Sequence, residues 1–423
     1  MEEYAIKYQQ FITFGQNEDD EMKKQVTLKP GKDKAIRHRH HWIFSGAIHS
    51  LPSFEDGDLL PVHSAQGDFL GSAYFNRKSS ICGRMVCFDQ TLPLVAIQDN
   101  IDKALAMRAR FFSDALADGQ VQPAHTNAFR LINGEGDGLP GLVVDKYRDL
   151  LVIQIGTLGM DKLRDFLVSY LRKKLNPQCI YEKSALPTRK EEGLLDRQGI
   201  VWAASPGESL EEVSILENGL KFMVSPVSGQ KTGFFLDHRE MRQLVRGLCK
   251  GRRVLNCFAY TGGFSVYALA GGAAQVTSVD ISEHAVRLAQ RNVLLNGFDP
   301  ASHVCQAADV FQFLRENPLD YEVVILDPPA FAKRQKDVIA ACRGYKDINR
   351  LALQKMPAKS LLLSSSCSYY VNEELFQKVV FQAAVEAGRN VRIIGRHHMA
   401  VDHPVNICHP EGDYLKSLLL YVD

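Results

Sequence analysis

Short apolar runs separated by turn formers fill the first quarter of the chain. Longer apolar runs alternating with helical periodicity fill the second half. Leu59-Leu60-Pro61-Val62, residues 69–75 and residues 81–88 are runs of strand length, divided by Gln66-Gly67-Asp68 and Asn76-Arg77-Lys78. Such punctuation predicts strands, and residues 25–96 read as a small β-barrel of accessory-module size. Over 101–117, Ile101, Leu105, Phe112 and Leu116 fall on one helical face, with Asp102, Lys103, Arg110, Ser113 and Asp114 opposite. That spacing predicts an amphipathic helix capped by Asn100, with Arg108 in the apolar stripe and its head reaching water. A turn-dense stretch, 130–141, leads to strands over 142–144 and 150–155, a helix over 162–175, and strands over 180–182, 200–203 and 220–224. Residues 97–228 are therefore an α+β segment with no catalytic pattern of its own, suited to connecting the barrel to a catalytic domain and flooring a substrate groove.

From residue 229 the pattern becomes regular βα alternation. Gly229 to Asp237 forms a glycine-flanked loop, followed by a helix over 239–248. Val254-Leu255-Asn256-Cys257 is a strand, Thr261-Gly262-Gly263 a turn, 264–270 a helix, and 276–279 a second strand ending in Asp280. This is one βαβ unit of a parallel sheet. Ser282 can cap a helix over 283–295, Asp309 follows the next strand, Val323-Val324-Ile325-Leu326 runs into Asp327-Pro328-Pro329, and Leu361-Leu362-Leu363 runs into Ser366-Cys367-Ser368. The fold class is α/β: a Rossmann-like domain over 229–423, preceded by the barrel and the α+β segment.

In such sheets ligands bind beyond the carboxyl ends of the strands, and an acid about 20 residues past the first turn reaches a ribose hydroxyl. Asp280 lies eighteen positions after Gly262. The dinucleotide fingerprint and the P-loop are both absent from this turn. S-adenosylmethionine, an adenosyl cofactor without phosphate, asks only for room at the turn and a carboxylate. A purely structural βα turn is the alternative.

With 423 residues, 45% hydrophobic and 23% charged, the chain is globular and long enough for two or three domains. No apolar run approaches the roughly 20 residues that span a bilayer. The first residues lack a basic start and an apolar core, so a cytoplasmic protein with no membrane partner is expected. Nine cysteines, without metal-ligand spacing, read as reduced thiols. Residues 1–24 form a polar tail, and the net charge of +1 does not announce a polyanion partner. Locally, however, 23–41 is strongly basic, and Arg37-His38-Arg39-His40-His41 runs directly into Trp42. Lys34, Arg37, Arg39 and His41 are candidate RNA contacts, with a solvated basic face as the plain alternative. The histidine cluster has no cysteine partner and no spacing that puts ligands on one face, so no metal is expected.

Cys367 stands where a strand opens onto the site, flanked by serines, in polar surroundings where the backbone amides can favour a thiolate. Carbon 5 of a pyrimidine is a poor nucleophile; a thiolate added at C6 makes it an enamine carbon that can accept a methyl. Exocyclic-nitrogen methylation needs no such step and uses an aromatic directly after Pro-Pro to stack on the base; here Ala330 holds that place and Phe331 comes one later.

The motifs RHRHHWIFSGAI, RLINGEGDGLPGLVVDKY, SGQKTGFFLDHRE, VLNCFAYTGGF, SVDIS, LDPPAF, ACRGYKDIN, SCS, VDHP and PEGDYLK occur in one order. In these the chain, from about Val26 onward, resembles the PUA-domain-containing, S-adenosylmethionine-dependent 23S rRNA (cytosine-5) methyltransferases of bacteria. The resemblance implies a PUA barrel gripping structured RNA, a class I methyltransferase domain and, commonly, a homodimer. It implies Cys367 as nucleophile and Asp327 as the group holding the cytosine edge. The cofactor positions it implies are Asn256, Phe258, Thr261, Gly262, Gly263, Asp280, Asp309 and Asp327. The second cysteine that the wider RNA 5-methylcytosine group carries in the Asp327 loop is replaced by Pro329. Release then needs another base, for which Lys333, Lys346, Asp347, Asp402, His403 and Lys416 are candidates by position. Two other readings are an N-methyltransferase of guanine or adenine on the same scaffold and a non-catalytic RNA-binding assembly factor.

Overall fold

The computed structural model describes residues 24–116, 125–205 and 210–423. The expected polar tail, save Lys24, and Ala117 at the end of the expected helix lie outside the described residues.

The first unit is a mixed sheet in the order Trp42–Ile43, Gly83–Cys87, Phe69–Phe75, Leu59–His63, Val26–Leu28, Ile48–Ser50. Val26, Ile43, Val62, Ala73, Phe75 and Met85 make its own core. The two edge strands do not pair with each other, so the expected barrel is open rather than closed. The second unit is a five-stranded sheet from Ala128–Asn133 to Arg197–Ala203, covered by the helices Pro93–Ala109 and Arg164–Leu175.

The first of these helices differs from the expectation. It begins at Pro93 and ends at Ala109, so the expected domain boundary at 96/97 falls inside it. Proline at the first helical position supplies a preset φ and lacks only an N–H that would go unused. Asn100 is therefore internal, its amide donating to Gly138 O at 3.0 Å. Arg108 does not reach water: it is fully buried, paired with Asp137 at 2.6 Å, and donates to Asp402 O at 2.8 Å. A buried guanidinium needs that pairing, and the contact ties the helix to the C-terminal part of the chain. The strand Ala128–Asn133 also runs through what read as turn-dense sequence.

The largest sheet has seven strands: β1 (Arg253–Cys257), β2 (Gln275–Asp280), β3 (His303–Ala307), β4 (Val323–Leu326), β5 (Ser360–Ser366), β6 (Val391–His397) and β7 (Lys416–Val422). Their order is β3-β2-β1-β4-β5-β7-β6, all parallel except β7, which runs antiparallel to β5 and β6. The helices are α1 (Arg239–Leu248), α2 (Gly263–Ala270), α3 (Glu283–Leu295), α4 (Val310–Glu316), α5 (Val338–Lys355) and α6 (Glu373–Glu386). Val254, Val276, Ile325 and Leu363 pack on one face of the sheet and Leu255, Val279, Leu326 and Leu362 on the other. Burial on both faces explains why these strands read as unbroken apolar runs. Order reverses between β1 and β4, and the carboxyl ends on either side of that switch point are where α/β sheets bind ligands. The hairpin Val213–Glu217 with Leu220–Val224 packs its Ile215, Phe222 and Val224 against this domain's core. Among the described residues no helix is long and apolar enough to cross a membrane.

Candidate active site

Four loops leave the carboxyl ends of β1, β2, β4 and β5. After β1 the backbone takes left-handed values at Phe258 (φ 58°) and Tyr260 (φ 46°), conformations L side chains rarely adopt. The Tyr260 N–H donates to Asp280 Oδ2 at 2.8 Å, and the Ser282 N–H to its Oδ1 at 2.9 Å. Asp280 thus fixes the turn while each oxygen keeps a lone pair. Gly262, at φ 76°, is the N-cap of α2, and a Cβ there would stand 2.8 Å from that of Ala289 on α3; one on Gly263 would stand 3.1 Å from Arg242 Cδ. The paired glycines therefore permit close helix packing at the start of α2. Asn256 is buried; its amide donates to Ser265 Oγ at 2.8 Å and anchors α2 to β1. Asn256 Oδ1 and Thr261 Oγ1 have no partner. Asp309 caps α4 by accepting the Gln312 N–H at 2.9 Å.

Asp327 and Cys367 follow β4 and β5, which are adjacent. The two loops are clamped together. Cys367 Sγ approaches Pro328 O at 3.8 Å, the Ala332 N–H donates to Ser368 Oγ at 3.1 Å, and Tyr345 OH meets the same hydroxyl at 2.9 Å. Phe331 turns away, its ring 4.6 Å from Tyr345 and 5.9 Å from Phe311. Lys416 Nζ, on β7, donates to Ser368 O at 2.7 Å and holds the loop from below.

The surroundings of Cys367 oppose a thiolate rather than favour one. Burial, reinforced by the Asp327 charge and opposed by Lys231, pushes the Cys367 thiol up to about 11. The flanking serines are spent elsewhere: Ser366 Oγ takes the Ser368 N–H at 3.3 Å, and Ser368 Oγ takes the Ala332 N–H at 3.1 Å. Burial also raises the Asp327 carboxyl, with His238 Nε2 at 3.5 Å opposing the rise.

The sequence did not single out the group that faces this pair. Asp237 Oδ2 accepts from Lys231 Nζ at 2.7 Å and from Tyr414 OH at 2.5 Å. Burial alone would raise Asp237, but Lys231, His238 and His403 outweigh it and hold the carboxyl well below its usual range. The signals were present in SGQKTGFFLDHRE and PEGDYLK, whose residues only the fold brings together.

Several candidate bases are tied up. Lys346 pairs with Glu386 at 2.6 Å and Asp347 with Arg350 at 2.7 Å. Asp402 is buried against Arg239 at 2.6 Å, with His403 Nδ1 at 3.0 Å. Lys333 is exposed beside the Asp327 loop.

Of the candidate RNA contacts, Lys34 and Arg39 are exposed. Arg37 is engaged by Asp33 at 2.6 Å and Asp68 at 2.5 Å. His41 corrects the expectation: it is 3% exposed with Nδ1 at 2.9 Å from Met85 O, so it packs the barrel and presents no surface to RNA.

Residues 26–88 match the PUA-like domain family, and residues 197–377 match the S-adenosylmethionine-dependent methyltransferase family. A Streptococcus mutans structure described as a SAM-dependent methyltransferase shares the fold, with TM-score 0.78 and 24% identity over 94% of this chain and 99% of that one. Another, described as a methyltransferase complexed with SAH, aligns with TM-score 0.80 and 26% identity over the same shares. The fold is that of an S-adenosylmethionine-dependent methyltransferase carrying a PUA-like domain. The residues present suit that cofactor: Asp280 has free lone pairs for a ribose, and unpartnered oxygens stand on Asn256 near the end of β1 and on Thr261 in the turn after it.

Ribosomal RNA large subunit methyltransferase I of Aeromonas hydrophila is 40% identical over 405 residues, covering 94% of this chain and 99% of that protein. The Aliivibrio fischeri (strain MJ11) protein of the same name is 41% identical over 401 residues, covering 94% and 98%. The chain belongs to the ribosomal RNA large subunit methyltransferase I family.

Proposed function

We propose that this enzyme methylates C5 of a cytosine in 23S rRNA, free or in a large-subunit precursor, through a covalent bond between Cys367 and C6. The observation that carries this reading is a half-buried cysteine at the carboxyl end of β5, clamped beside the carboxyl group of Asp327. Bound S-adenosylmethionine supplies an electrophilic methyl group on a sulfonium sulfur. Asp280 would hold its ribose and Asp309 its adenine amino group, and the turn over Asn256, Phe258, Thr261, Gly262 and Gly263 would contact the remainder.

The thiol of Cys367, which is half-buried, must first lose its proton to solvent water, and Lys231 is the cation whose field favours that loss. The thiolate then adds to C6, and the electrons of the C5–C6 double bond make C5 nucleophilic. Asp327, beside Cys367, is the carboxyl group suited to hold the cytosine edge while the thiolate adds. Once C5 carries the methyl group, a base takes the C5 proton, the C5–C6 double bond re-forms, and Cys367 leaves as thiolate. Phe331, packed on Tyr345, is not placed to stack on a flipped base, which favours carbon over exocyclic-nitrogen chemistry. Lys34 and Arg39 on the PUA-like module are the proposed backbone contacts, with rRNA as partner, action in the cytoplasm, and a homodimer as the assembly.

Incubation with methyl-labelled S-adenosylmethionine and undermodified rRNA, followed by digestion to nucleosides, tests the proposal. Label in 5-methylcytidine is the expected result. Label in an N-methylated guanosine or adenosine overturns it, and no transfer at all favours an assembly factor.

A further inference from the structure

His40 belongs to the PUA-like module, and His409 and Glu411 to the loop before β7, some 370 positions later in the chain. The fold nevertheless brings them together. One ligand atom from each lies within 4.8 Å of the other two. Glu411 Oε2 is the hub, 3.2 Å from His40 Nε2 and 3.8 Å from His409 Nδ1. A second observation points to a missing occupant. His409 is 2% exposed, and its Nδ1 is buried with no hydrogen-bond partner. Leaving a buried polar nitrogen unsatisfied costs roughly 1–3 kcal/mol, which is unexpected where a carboxylate stands this close. The ring is held by Trp42, 4.5 Å away edge to face, and by His40 at 4.6 Å.

We infer that His40, His409 and Glu411 form a divalent transition-metal site, best suited to zinc, that clasps the PUA-like module onto the catalytic domain. Tetrahedral zinc with N and O ligands at about 2.0–2.2 Å sets ligand atoms roughly 3.3–3.6 Å apart. The two separations to Glu411, 3.2 and 3.8 Å, bracket that edge, and the two histidine nitrogens lie within 4.8 Å of each other. Two neutral imidazoles and a carboxylate are a borderline-soft donor set that suits zinc over magnesium or calcium. Binding at Nε2 puts the His40 proton on Nδ1, which costs the 3.2 Å hydrogen bond from the Trp42 N–H, a loss of about 1 kcal/mol. The fourth position is left to water. The site directly follows exposed Arg39, so the ion fixes the orientation of the basic segment relative to the methyl-transfer site, a role distinct from the chemistry at Cys367.

The test uses full-length, tag-free protein stripped with a chelator and dialysed, with Zn2+ alone as the titrant in calorimetry. One saturable ion per chain is expected, together with a raised Tm. Glu411→Gln, at a side chain 29% exposed, should weaken binding at least about tenfold while the circular dichroism spectrum stays unchanged. His409→Ala should do the same, and Co2+ substitution should give visible d–d bands without a thiolate charge-transfer band. No saturable binding, affinity unchanged in both variants, or a thiolate band showing the ion on a cysteine overturns the inference.

Discussion

Glu217 lies outside the catalytic sheet and contacts no expected substrate or cofactor, yet its loss should damage the enzyme. It is wholly buried, and Arg242 on α1 grips it with two bonds of 2.8 and 2.7 Å. Tyr267 OH adds a third at 3.0 Å, and Arg239 Nε stands 3.6 Å away. Glu217→Ala leaves the Arg242 guanidinium, also buried, without its carboxylate. Removing one partner of a buried pair costs about 3–5 kcal/mol. For a cooperative unit of about 200 residues, at 2–4 °C per kcal/mol, Tm should fall by roughly 6–20 °C. Because Arg242 Cδ lies under Gly263, the first turn of α2 should loosen, and affinity for S-adenosylhomocysteine should fall with it. Scanning calorimetry and isothermal titration on the same preparation read both effects. Glu217→Leu combined with Arg242→Leu should recover much of the stability, because it removes the stranded charge. A Tm loss below about 2 °C in Glu217→Ala, or a double variant no better than the single, would show that the pair carries no such weight.

Other expectations rest on the same geometry. Asp280→Ala should weaken cofactor binding by about 10- to 100-fold, the worth of one or two hydrogen bonds to a charged group, and unchanged affinity by calorimetry would remove its ribose role. Asp237 and Asp402 both titrate below their ordinary range when folded, so the stability they supply is full above about pH 5 and is lost as pH falls through 4 and below. Asp402→Asn should flatten that acid slope in urea titrations, and a slope identical to the parent's would count against the pairing with Arg239. With the Cys367 thiol near 11, its alkylation by iodoacetamide, followed by peptide mass spectrometry, should accelerate close to tenfold per pH unit between 7 and 9. A rate independent of pH would mean a thiolate already formed.

Much of the catalytic sheet was legible because its signals are local. Strands buried on both faces leave unbroken apolar runs such as Val323 to Leu326, and caps such as Ser282 sit beside the helices they start. Cys367 and Asp327 were readable because each directly follows such a run. What the sequence concealed depends on long-range closure. Arg108 reads as a surface arginine on a helical stripe until Asp137 and the Asp402 carbonyl meet it. Lys231, Asp237 and Tyr414 come from segments up to 183 positions apart. His41 looked like part of a basic surface because its neighbours are charged, while strand alternation at Trp42–Ile43 turns it inward. Gly262 was read correctly as a turn residue while Gly263 already starts α2, and the neighbours that demand both, Ala289 and Arg242, lie on other helices.

The proposed chemistry stands or falls on a transient bond from Cys367 to a cytosine ring, and trapping that bond is the sharpest test of it. RNA carrying 5-fluorocytidine offers no C5 proton to remove, so the adduct cannot resolve after methyl transfer. Digestion and mass spectrometry should then find the methylated fluoropyrimidine attached to the peptide containing Cys367, and Cys367→Ala should give neither adduct nor turnover. Full turnover by Cys367→Ala on ordinary rRNA, with no adduct from the parent enzyme on the fluorinated RNA, would rule the covalent route out.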